Sequence, residues 1–482
     1  MYKFKTKPFQ HQLTVYEESK DTLAYAFFME MGTGKSKVAI DTMGHLYLEN
    51  KINAALIVAP KGVYDNWVQG EIPNHLSDQV PRTVVRWIPA KTKKFQEELQ
   101  ALFDKENKDL KIFVMNIEAF SSPRGAKMAE NFLEYNPDNL VIIDESTTIK
   151  NRKAQRTKNI LELRKSSKYK RILTGSPITK SPMDLFSQCF FLGADKLGFT
   201  SYFAFQGRHA IVQQRAMGHR SFQEITGYRR LEELNEKLQT FSSRILKEEC
   251  LTLPEKVYIR RNIELSDDQK RLYSQMKKLA LAQLADGELA TTPSVLTQIM
   301  RLQQICCGFL QSDDGPIQPI PNNRLDNLMD VTDELQGKAI IWATYTYDIQ
   351  RIADNLRHRF GAEAVATYYG ETAQDERQDI VNMFEDPDSP LRFFIGQPRT
   401  GGYGITLNGA STVIYYSNSY DLEIRKQSED RAHRIGQNKS VTYIDFVSPN
   451  TIDEKILGAL RDKDLLAGKV MGEDPRNWLA KE

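Results

Sequence analysis

Short apolar runs alternate with amphipathic stretches in two separate parts of this 482-residue chain. In the first part each run is bounded by turn-forming or polar residues, which is typical of buried parallel strands. The runs are Ala24–Phe28, Ala54–Ala59, Ile112–Met115, Leu140–Ile143 and Arg171–Leu173. Amphipathic stretches such as Lys37–Tyr47 and Ala154–Leu163 lie between them and predict crossover helices. This alternation predicts an α/β lobe with a parallel sheet.

The same alternation returns after residue 325. It predicts strands at Ala339–Trp342, Ala364–Thr367, Phe393–Ile395, Val413–Tyr416 and Val441–Phe446. Between the two parts, residues 200–245 carry no strong strand signal, and residues 266–307 have apolar side chains at helical spacing. Residues 311–323 are rich in turn formers and predict a surface loop. We therefore expect two α/β lobes separated by a mostly helical insert.

Composition excludes several classes of protein. Hydrophobic residues make up 40% and charged residues 27% of the chain, which argues against a disordered, collagen-like or coiled-coil protein. No apolar run approaches the roughly 18–20 residues of a membrane helix, and Met1–Gln12 contains no secretory signal. The four cysteines lack zinc-ligand spacing and fit a reducing cytosol.

The net charge of +2 does not by itself indicate a nucleic-acid partner, but the charge is unevenly distributed. Between Lys150 and Arg171 there are ten basic residues and one acid, Glu162. Such a stripe is either a face that contacts phosphates or the solvated surface of a helix. The stripe alone leaves both interpretations open.

The strongest local signal is Met-Gly-Thr-Gly-Lys-Ser at Met31–Ser36, between a predicted strand and a predicted helix. A glycine-rich turn in that place lets backbone N–H groups face phosphates. Lys35 would reach the β- and γ-phosphates, and Ser36 would bind Mg²⁺. The usual first glycine of this pattern is replaced by Met29. The alternative is a chance Gly-Lys-Ser, but the strand–turn–helix context favours a nucleotide-binding loop.

Asp144 and Glu145 close another predicted apolar strand. Ligands bind at the carboxyl ends of strands in parallel sheets. There, Asp144 can hold Mg²⁺ through water, and Glu145 can orient and polarise the attacking water. The alternative is an acidic cap of the next helix. The position downstream of a phosphate loop favours the catalytic interpretation.

Arg431 and Arg434 lie within the segment Gln427–Gln437 of the second predicted lobe. Their i, i+3 spacing predicts that they share one helical face. Two guanidiniums presented together suit the charge that builds on a transferring phosphoryl group. They would complete the site only when the lobes close. The alternative is the end of a salt-bridged surface helix, and His433 is interpreted as structural.

Three weaker signals accompany these. Gln12, shortly after Phe9, is a candidate for reading an adenine edge. Thr174 lies in a turn after a strand and is a candidate for relaying the nucleotide state, and the glycine-rich turn containing Gly404 is a candidate for contacting phosphates. Each signal is weak alone because glycine-rich turns are common.

Taken in chain order, these residues resemble the motifs of superfamily-two helicases and, among them, of Swi/Snf-type DNA-translocating ATPases. The matching segments include Met31–Ser36, Leu56–Lys61 with Trp67, Asp144–Glu145, Ile149–Asn151, Leu173–Pro177, Gly401–Leu407 and Gln427–Gln437. The ending His-Arg-Ile-Gly-Gln is the most family-specific piece. Two departures concern Tyr420–Leu422, where the family usually has Trp-Asn-Pro, and the Ser-Thr that follows Glu145.

The resemblance implies an α/β fold of two RecA-like lobes with parallel sheets and mostly helical inserts. We expect a first lobe over 1–200, a helical protrusion over 201–245 and a helical insert and linker over 246–325. A second lobe with a C-terminal helix would span 326–482.

The resemblance also implies ATP and Mg²⁺ as cofactors and assigns roles by position. The catalytic residues would be Lys35, Asp144, Glu145, Arg431 and Arg434. The ATP-binding residues would be Gln12, Met31, Gly32, Thr33, Gly34, Lys35, Ser36 and Gly404. Ser36 and Asp144 would hold the metal, Thr174 and Gln427 would couple the site to DNA, and Lys61, Lys150 and Asn151 would contact DNA.

The implied function is an ATP-dependent translocase that moves on duplex or branched DNA and remodels DNA or protein–DNA complexes. The alternatives are a strand-separating DNA or RNA helicase and, in another class, a non-hydrolysing nucleic-acid-binding scaffold. We expect backbone contacts to DNA, no membrane, a monomer, and partners among replication, recombination or repair proteins. The expected compartment is the cytoplasm of a bacterial or virus-infected bacterial cell, with the nucleus as the alternative.

Overall fold

The computed structural model describes residues 2–89, 92–217, 220–250, 253–285, 292–311, 315–373, 376–401, 405–434 and 436–471. The chain divides into two compact units. The described parts of 2–211, 225–250 and 465–471 form the first, and the described parts of 212–224 and 253–464 form the second. None of the described helices has the length and apolar character that crossing a membrane requires.

The first unit is built on a seven-stranded sheet with the order β3-β4-β2-β5-β6-β1-β9, in which neighbouring strands run parallel. Its strands are β1 Ala24–Met29, β2 Ala54–Ala59, β3 Arg82–Arg86, β4 Leu110–Asn116, β5 Asn139–Asp144, β6 Tyr169–Leu173 and β9 Ser242–Ile245. A separate two-stranded sheet pairs β7 Ala210–Met217 with β8 Arg220–Tyr228.

Helices of the first unit connect these strands. The longer ones are Gln10–Ser19, Lys35–Leu48, Lys93–Leu102, Pro123–Tyr135, Gln155–Leu163, Leu185–Leu192, Tyr202–His209 and Leu231–Gln239. Short helical turns are Tyr64–Asn66, Trp67–Glu71, Ile72–His75, Ile117–Ser121, Ser146–Ile149, Pro182–Asp184 and Lys247–Cys250. Every residue of β1, β2 and β5 is buried, which explains their continuous apolar sequences.

The strand order brings the ends of three strands together. Leu173 at the end of β6 is paired with Phe27 of β1 on one side and with Asp144 of β5 on the other. Because parallel strands end at the same edge of a sheet, the segments that follow β1, β5 and β6 meet at one place.

The second unit is built on a six-stranded parallel sheet with the order β10-β17-β16-β13-β15-β14. Its strands are β10 Lys256–Asn262, β13 Lys338–Trp342, β14 Val365–Tyr368, β15 Phe393–Gly396, β16 Ala410–Tyr415 and β17 Val441–Val447. The short strands β11 Phe309–Gln311 and β12 Ile317–Pro319 form an antiparallel ribbon.

Helices cover both faces of this second sheet. The helices of this part of the chain are Asp267–Ala285, Thr292–Cys307, Arg324–Glu334, Thr346–Phe360, Ala362–Ala364, Glu376–Glu385, Pro398–Gly401, Leu422–Glu429 and Ile452–Met471. Alternate strand residues belong to different cores, with Ile341 packed in one and Ile340 in the other. This is the period of two that a sheet covered on both faces requires.

All the strands expected from apolar runs are present, but the structure adds strands where none was predicted. Three of them, β3, β9 and β10, lie at sheet edges. Edge strands are only partly covered and therefore lack a continuous apolar run: six of the seven residues of β10 are exposed. The expected helical protrusion at 201–245 contains β9 and the ribbon β7–β8 as well as helices. Similarly, β10 belongs to the second sheet and not to a helical insert.

Candidate nucleotide and nucleic-acid site

The glycine-rich loop follows β1 and leads into the helix Lys35–Leu48. Gly32 and Gly34 have positive φ angles of 83° and 89°, which side chains with a Cβ rarely adopt. A Cβ built on Gly34 would lie 2.2 Å from Nε2 of Gln12. The positive φ therefore requires glycine at position 34, and a larger residue there would also displace the Gln12 amide.

Gln12 is buried against this loop. Its Oε1 accepts a hydrogen bond from the backbone N–H of Phe9 at 3.0 Å, and its Nε2 donates to the carbonyl of Thr33 at 3.1 Å. A ring nitrogen of His11 lies 2.8 Å from the same carbonyl. A side-chain amide has two hydrogens and two lone pairs, so one of each is left for an adenine edge.

The two carboxylates after β5 have different surroundings. Nζ of Lys35 lies 3.7 Å from Oε1 of Glu145, and both side chains are about nine-tenths buried. Asp144 accepts hydrogen bonds from the Glu145 backbone N–H at 3.0 Å and from Nε1 of Trp67 at 2.9 Å. Burial raises the pKa of Asp144, while the charge of Lys35 and the Trp67 hydrogen bond lower it. Glu145 has a positive φ of 47°, a sparsely populated conformation that is often found at functional sites.

Trp67 is a site residue to which the sequence assigned no separate role. It is fully buried and begins the π-helical turn Trp67–Glu71. Such turns are rare and occur frequently at functional sites. The tryptophan is visible in the sequence, but its hydrogen bond to Asp144 spans 77 positions and depends on the fold.

Thr174 is buried beside Glu145. Its hydroxyl lies 3.5 Å from Oε2 of Glu145 and accepts from the N–H of Ser176 at 3.2 Å. Arg244, on β9, donates to the carbonyl of Phe28 at 3.1 Å and to that of Gly175 at 3.0 Å. It ties the strand before the glycine-rich loop to the turn after β6. Because its partners are backbone atoms, no sequence pattern indicated it.

The residues present fit a magnesium ion. Mg²⁺ prefers oxygen ligands and is commonly held by one or two protein groups together with phosphates. Ser36, the expected metal ligand, lies half-buried in the first turn of the helix that follows the loop. Met31, expected to bind ATP, is half-buried at the start of the loop. Each Asp144 oxygen takes part in one of the hydrogen bonds above, and a carboxylate has about four acceptor positions.

In the second unit, the turn at 405–410 and the segment after the helix Leu422–Glu429 are joined by hydrogen bonds. Arg431 is 1% exposed and donates to the carbonyls of Gln427 at 3.1 Å and Ile405 at 2.9 Å. Arg434 is half-buried and donates to the hydroxyl of Thr406 at 3.2 Å.

The expectation that the two arginines share a helical face is wrong, because the helix ends at Glu429. Arg431 lies in the turn beyond it, where its side chain donates to the Gln427 carbonyl, one of those that a helix end leaves without an intrahelical partner. Gln427 is itself buried, and its amide lies 3.4 Å from Glu423. His433 is buried with its Nε2 2.7 Å from the carbonyl of Pro254. Gly404 lies outside the described residues.

The three residues expected to contact DNA lie beyond the carboxyl-terminal ends of strands of the first sheet, as the glycine-rich loop does. Lys61 follows β2, Lys150 and Asn151 follow the short helix after β5, and β2 and β5 are paired strands. Lys61 and Asn151 are exposed. Lys150 is half-buried, and its Nζ donates to the hydroxyl of Thr179 at 2.6 Å.

The basic stripe divides in the structure. Arg171 is fully buried in β6 and donates to the carbonyls of Ser19 at 2.7 Å and Thr22 at 2.9 Å. Burial lowers its pKa to about 9. Nζ of Lys168 lies 2.6 Å from Asp138. The carboxyl-terminal end of the stripe is therefore structural, which leaves its first residues as candidates for phosphate contacts.

The model of the SNF2-related domain matches residues 13–309, and that of the helicase conserved C-terminal domain matches residues 322–436. This chain belongs to the SNF2-related family. Its two parallel sheets are the two RecA-like lobes of a Swi/Snf-type helicase of superfamily two.

Curated relatives are similar to this SNF2-related chain over nearly its whole length. An uncharacterized ATP-dependent helicase of Mycoplasma pneumoniae is 25% identical over 447 residues, which cover 92% of the chain and 40% of the relative. The ISWI chromatin-remodeling complex ATPase ISW1 of Saccharomyces cerevisiae is 25% identical over 497 residues, which cover 96% and 40%. The chain thus spans about two-fifths of the length of these relatives.

Among solved structures, the Sulfolobus solfataricus SWI2/SNF2 ATPase core in complex with dsDNA is 21% identical to the chain. The TM-score is 0.43, and the match covers 97% of this chain and 95% of that one.

Proposed function

We propose that this SNF2-related chain is a DNA-stimulated ATPase that moves along duplex or branched DNA and remodels DNA or protein–DNA complexes. The observation that carries the proposal is the grouping of Lys35, Asp144, Glu145 and Thr174 around the glycine-rich loop in the first lobe. The names of the relatives, an ATP-dependent helicase and a chromatin-remodeling ATPase, support the same class of activity.

Each residue of the first lobe has a defined task in this proposal. The backbone N–H groups of Met31–Ser36 and the ammonium of Lys35 hold the ATP phosphates. Ser36 and Asp144 hold Mg²⁺, which when bound supplies positive charge at the phosphate oxygens. Glu145 accepts a hydrogen bond from the attacking water and orients it towards the γ-phosphate.

The ion pair between Lys35 and Glu145 gives this scheme a switch. The 3.7 Å separation means that each charge partly neutralises the other in a buried place. When phosphates enter the loop, they attract the Lys35 ammonium. The ion pair with Glu145 then breaks, and the Glu145 carboxylate turns to the water. Thr174, within 3.5 Å of Glu145, would sense this change and pass it along the turn after β6.

The second lobe supplies the arginines. We propose that Arg431 and Arg434 contact the γ-phosphate when the lobes close, with Gln427 coupling this closure to DNA. Lys61, Lys150 and Asn151 would bind phosphates of the DNA backbone, so binding would be independent of sequence and sensitive to salt.

A strand-separating helicase is the second candidate function. It needs an element that enters between two strands, and the ribbon formed by β7 and β8 supplies such a shape. Ile211, the second residue of β7, is exposed and offers an apolar side chain of the kind that inserts as a wedge between bases.

The test is steady-state ATP hydrolysis without nucleic acid and with single-stranded DNA, linear duplex, forked DNA or duplex RNA. Strong stimulation by linear or forked duplex DNA is the expected result, and displacement of a triplex-forming strand then measures translocation directly. Stimulation only by single strands or RNA would favour the helicase alternative. Absence of hydrolysis under every condition would contradict the proposal and favour a non-hydrolysing scaffold.

A further inference from the structure

A polar cavity of about 180 Å³ opens in the first lobe, away from the nucleotide loop. Three lysines and three asparagines line it together with Tyr135. The six polar residues are Lys105, Lys108, Lys111, Asn53, Asn107 and Asn136. At ~30 Å³ for each water molecule, the cavity has room for roughly six waters, or for one tetrahedral oxyanion with part of its hydration.

The cavity lies at the amino-terminal ends of the strands, whereas the nucleotide loop lies at their carboxyl-terminal ends. Asn53 immediately precedes β2, Lys111 is the second residue of β4, and Asn136 comes shortly before β5. The glycine-rich loop follows the other end of β1. A six-residue strand at ~3.3 Å per residue is about 20 Å long. A group bound in the cavity is therefore separate from bound ATP.

Lys111 is the most unusual residue of this cavity because it is 4% exposed. Its Nζ donates to the backbone carbonyl of Asp104 at 2.7 Å. Within the described part of the chain, no carboxylate oxygen lies within 4.0 Å of the Nζ of Lys105, Lys108 or Lys111. Burying a charged group without a counter-ion is costly, so this ammonium is positioned for a negative partner.

The electrostatics of the neighbourhood agree with that conclusion. Burial lowers the pKa of Lys111, the charge of Lys108 acts in the same direction, and the Asp104 carboxylate acts against them. The ammonium groups of Lys105 and Lys108 are also held in place. Nζ of Lys108 donates to the carbonyl of Lys105 at 3.0 Å, and Nζ of Lys105 lies 5.8 Å from the ring centre of Tyr135. A lysine ammonium has three donors, so each retains hydrogen bonds for a ligand.

We propose that this cavity is a second anion site that binds a phosphate group. Lys111 would contact the group from the bottom of the cavity, while Lys105 and Lys108 would contact it from the rim. Two sources share this chemistry, a free phosphate ion and a phosphate of the DNA backbone.

The first test is the thermal unfolding midpoint of the full chain in sodium phosphate compared with sodium chloride at equal ionic strength. A saturating non-hydrolysable ATP analogue with Mg²⁺ occupies the glycine-rich loop throughout. Two variants probe the site, Lys108→Gln at the rim and Lys111→Met at the bottom. Lys127→Gln is the matched control, because Lys127 is exposed on the neighbouring helix and pairs with Glu130.

We expect phosphate to raise the midpoint of the wild-type chain and of Lys127→Gln in a saturable way. Lys108→Gln should need at least fivefold more phosphate for the same rise. Lys111→Met removes the buried ammonium and should lack the saturable part of the response to phosphate. An equal phosphate response in all four proteins would overturn the proposal.

The second test separates the two sources. Binding of a fluorescent duplex is measured against salt concentration for the wild type and for Lys108→Gln, with and without free phosphate. If backbone phosphate occupies the cavity, free phosphate competes with DNA. The plot of log K against log salt is then less steep for the variant, by about one unit of slope. If free phosphate is the ligand, duplex binding is the same in both proteins while the midpoint response still differs. Loss of both differences would contradict an anion site.

Discussion

At the scale of single residues, the first lobe places opposite charges where neither is well solvated. Lys35 and Glu145 are paired at 3.7 Å, and Asp144 is held by the indole N–H of Trp67 at 2.9 Å. These groups would be costly to bury alone. Their mutual contacts orient them before a nucleotide binds, which is what electrostatic catalysis requires.

Replacing Lys35 with Ala removes the ammonium that we assign to the phosphates. We expect the rate of ATP hydrolysis to fall by at least 10²-fold, since one preorganised charge typically contributes that much. Binding of duplex DNA at low salt should be retained, as measured by fluorescence anisotropy. Lys127→Ala is the control. Loss of both hydrolysis and DNA binding, with a lower unfolding midpoint, would instead make Lys35 a structural residue.

Trp67→Phe keeps most of the buried ring and removes the N–H that binds Asp144. That hydrogen bond lowers the pKa of Asp144, so its loss should raise the pKa further. Because Asp144 must be ionised to hold Mg²⁺, the acidic limb of the profile of kcat against pH should move to higher pH. The measurement is kcat between about pH 5 and 8 for both proteins. An acidic limb at the same pH in both would contradict a role for Trp67 in positioning Asp144.

At the scale of elements, a charged cluster around the buried carboxylate of Glu429 attaches the edge strand β10 to the second lobe. Glu429, on the helix Leu422–Glu429, accepts hydrogen bonds from Arg425 at 2.7 Å and from Tyr258 of β10 at 2.8 Å. Lys256 of β10 lies 3.2 Å from the same carboxylate, and Arg425 also reaches Asp445 of β17 at 3.0 Å. One carboxylate therefore joins a helix to a strand whose outer face is exposed.

This cluster predicts the effect of pH on stability. Burial alone would raise the pKa of Glu429, but Lys256 and Arg425 outweigh it and hold the pKa at about 2, below the ordinary value of 4.5. A lowered pKa contributes stability above pH 4.5, and that contribution is lost as the pH falls towards 2. At 1.36 kcal/mol per unit, the contribution is about 3 kcal/mol.

We expect Glu429→Gln to lower the free energy of unfolding by about 3 kcal/mol at pH 7, because it leaves buried cations without their partner. The difference from the wild type should shrink as the pH is lowered from 4.5. Urea unfolding of both proteins from pH 7 down to 3.5 measures it. Glu454→Gln, on an exposed pair with Arg260, is the control and should differ little from the wild type. A difference that is constant with pH would contradict the assigned charge state.

At the scale of the whole molecule, the residues that we propose as catalytic are divided between two separately packed lobes. The carboxylates Asp144 and Glu145 belong to the first, and Arg431 and Arg434 belong to the second. Within its own lobe, Arg431 is held by the carbonyls of Ile405 and Gln427. These two hydrogen bonds orient the guanidinium within the second lobe.

Arg431→Lys tests this division. Lysine keeps the positive charge but loses the planar donors that hold two carbonyls and a phosphate together. We expect kcat for ATP hydrolysis to fall by at least 10²-fold, whereas KM changes by less than about threefold, because the contact forms mainly in the transition state. Steady-state kinetics with saturating duplex DNA give both values. Equal losses in kcat and in ATP affinity would argue against transition-state contact.

The sequence determined the fold class and predicted the residues of the candidate site. Local physics explains the continuous apolar runs, since burial of a strand on both faces demands apolar residues. It also explains the loop at Met31–Ser36, since a phosphate-binding loop demands glycines.

Tertiary structure decided the rest. The edge strands β3, β9 and β10 have no continuous apolar run because solvent covers part of them. Trp67 contacts Asp144, and Arg244 contacts two backbone carbonyls; each contact joins segments 69 or more positions apart. The cavity around Lys111 is lined by residues of three separate loops. Such contacts depend on strand order and register, which local sequence patterns do not encode.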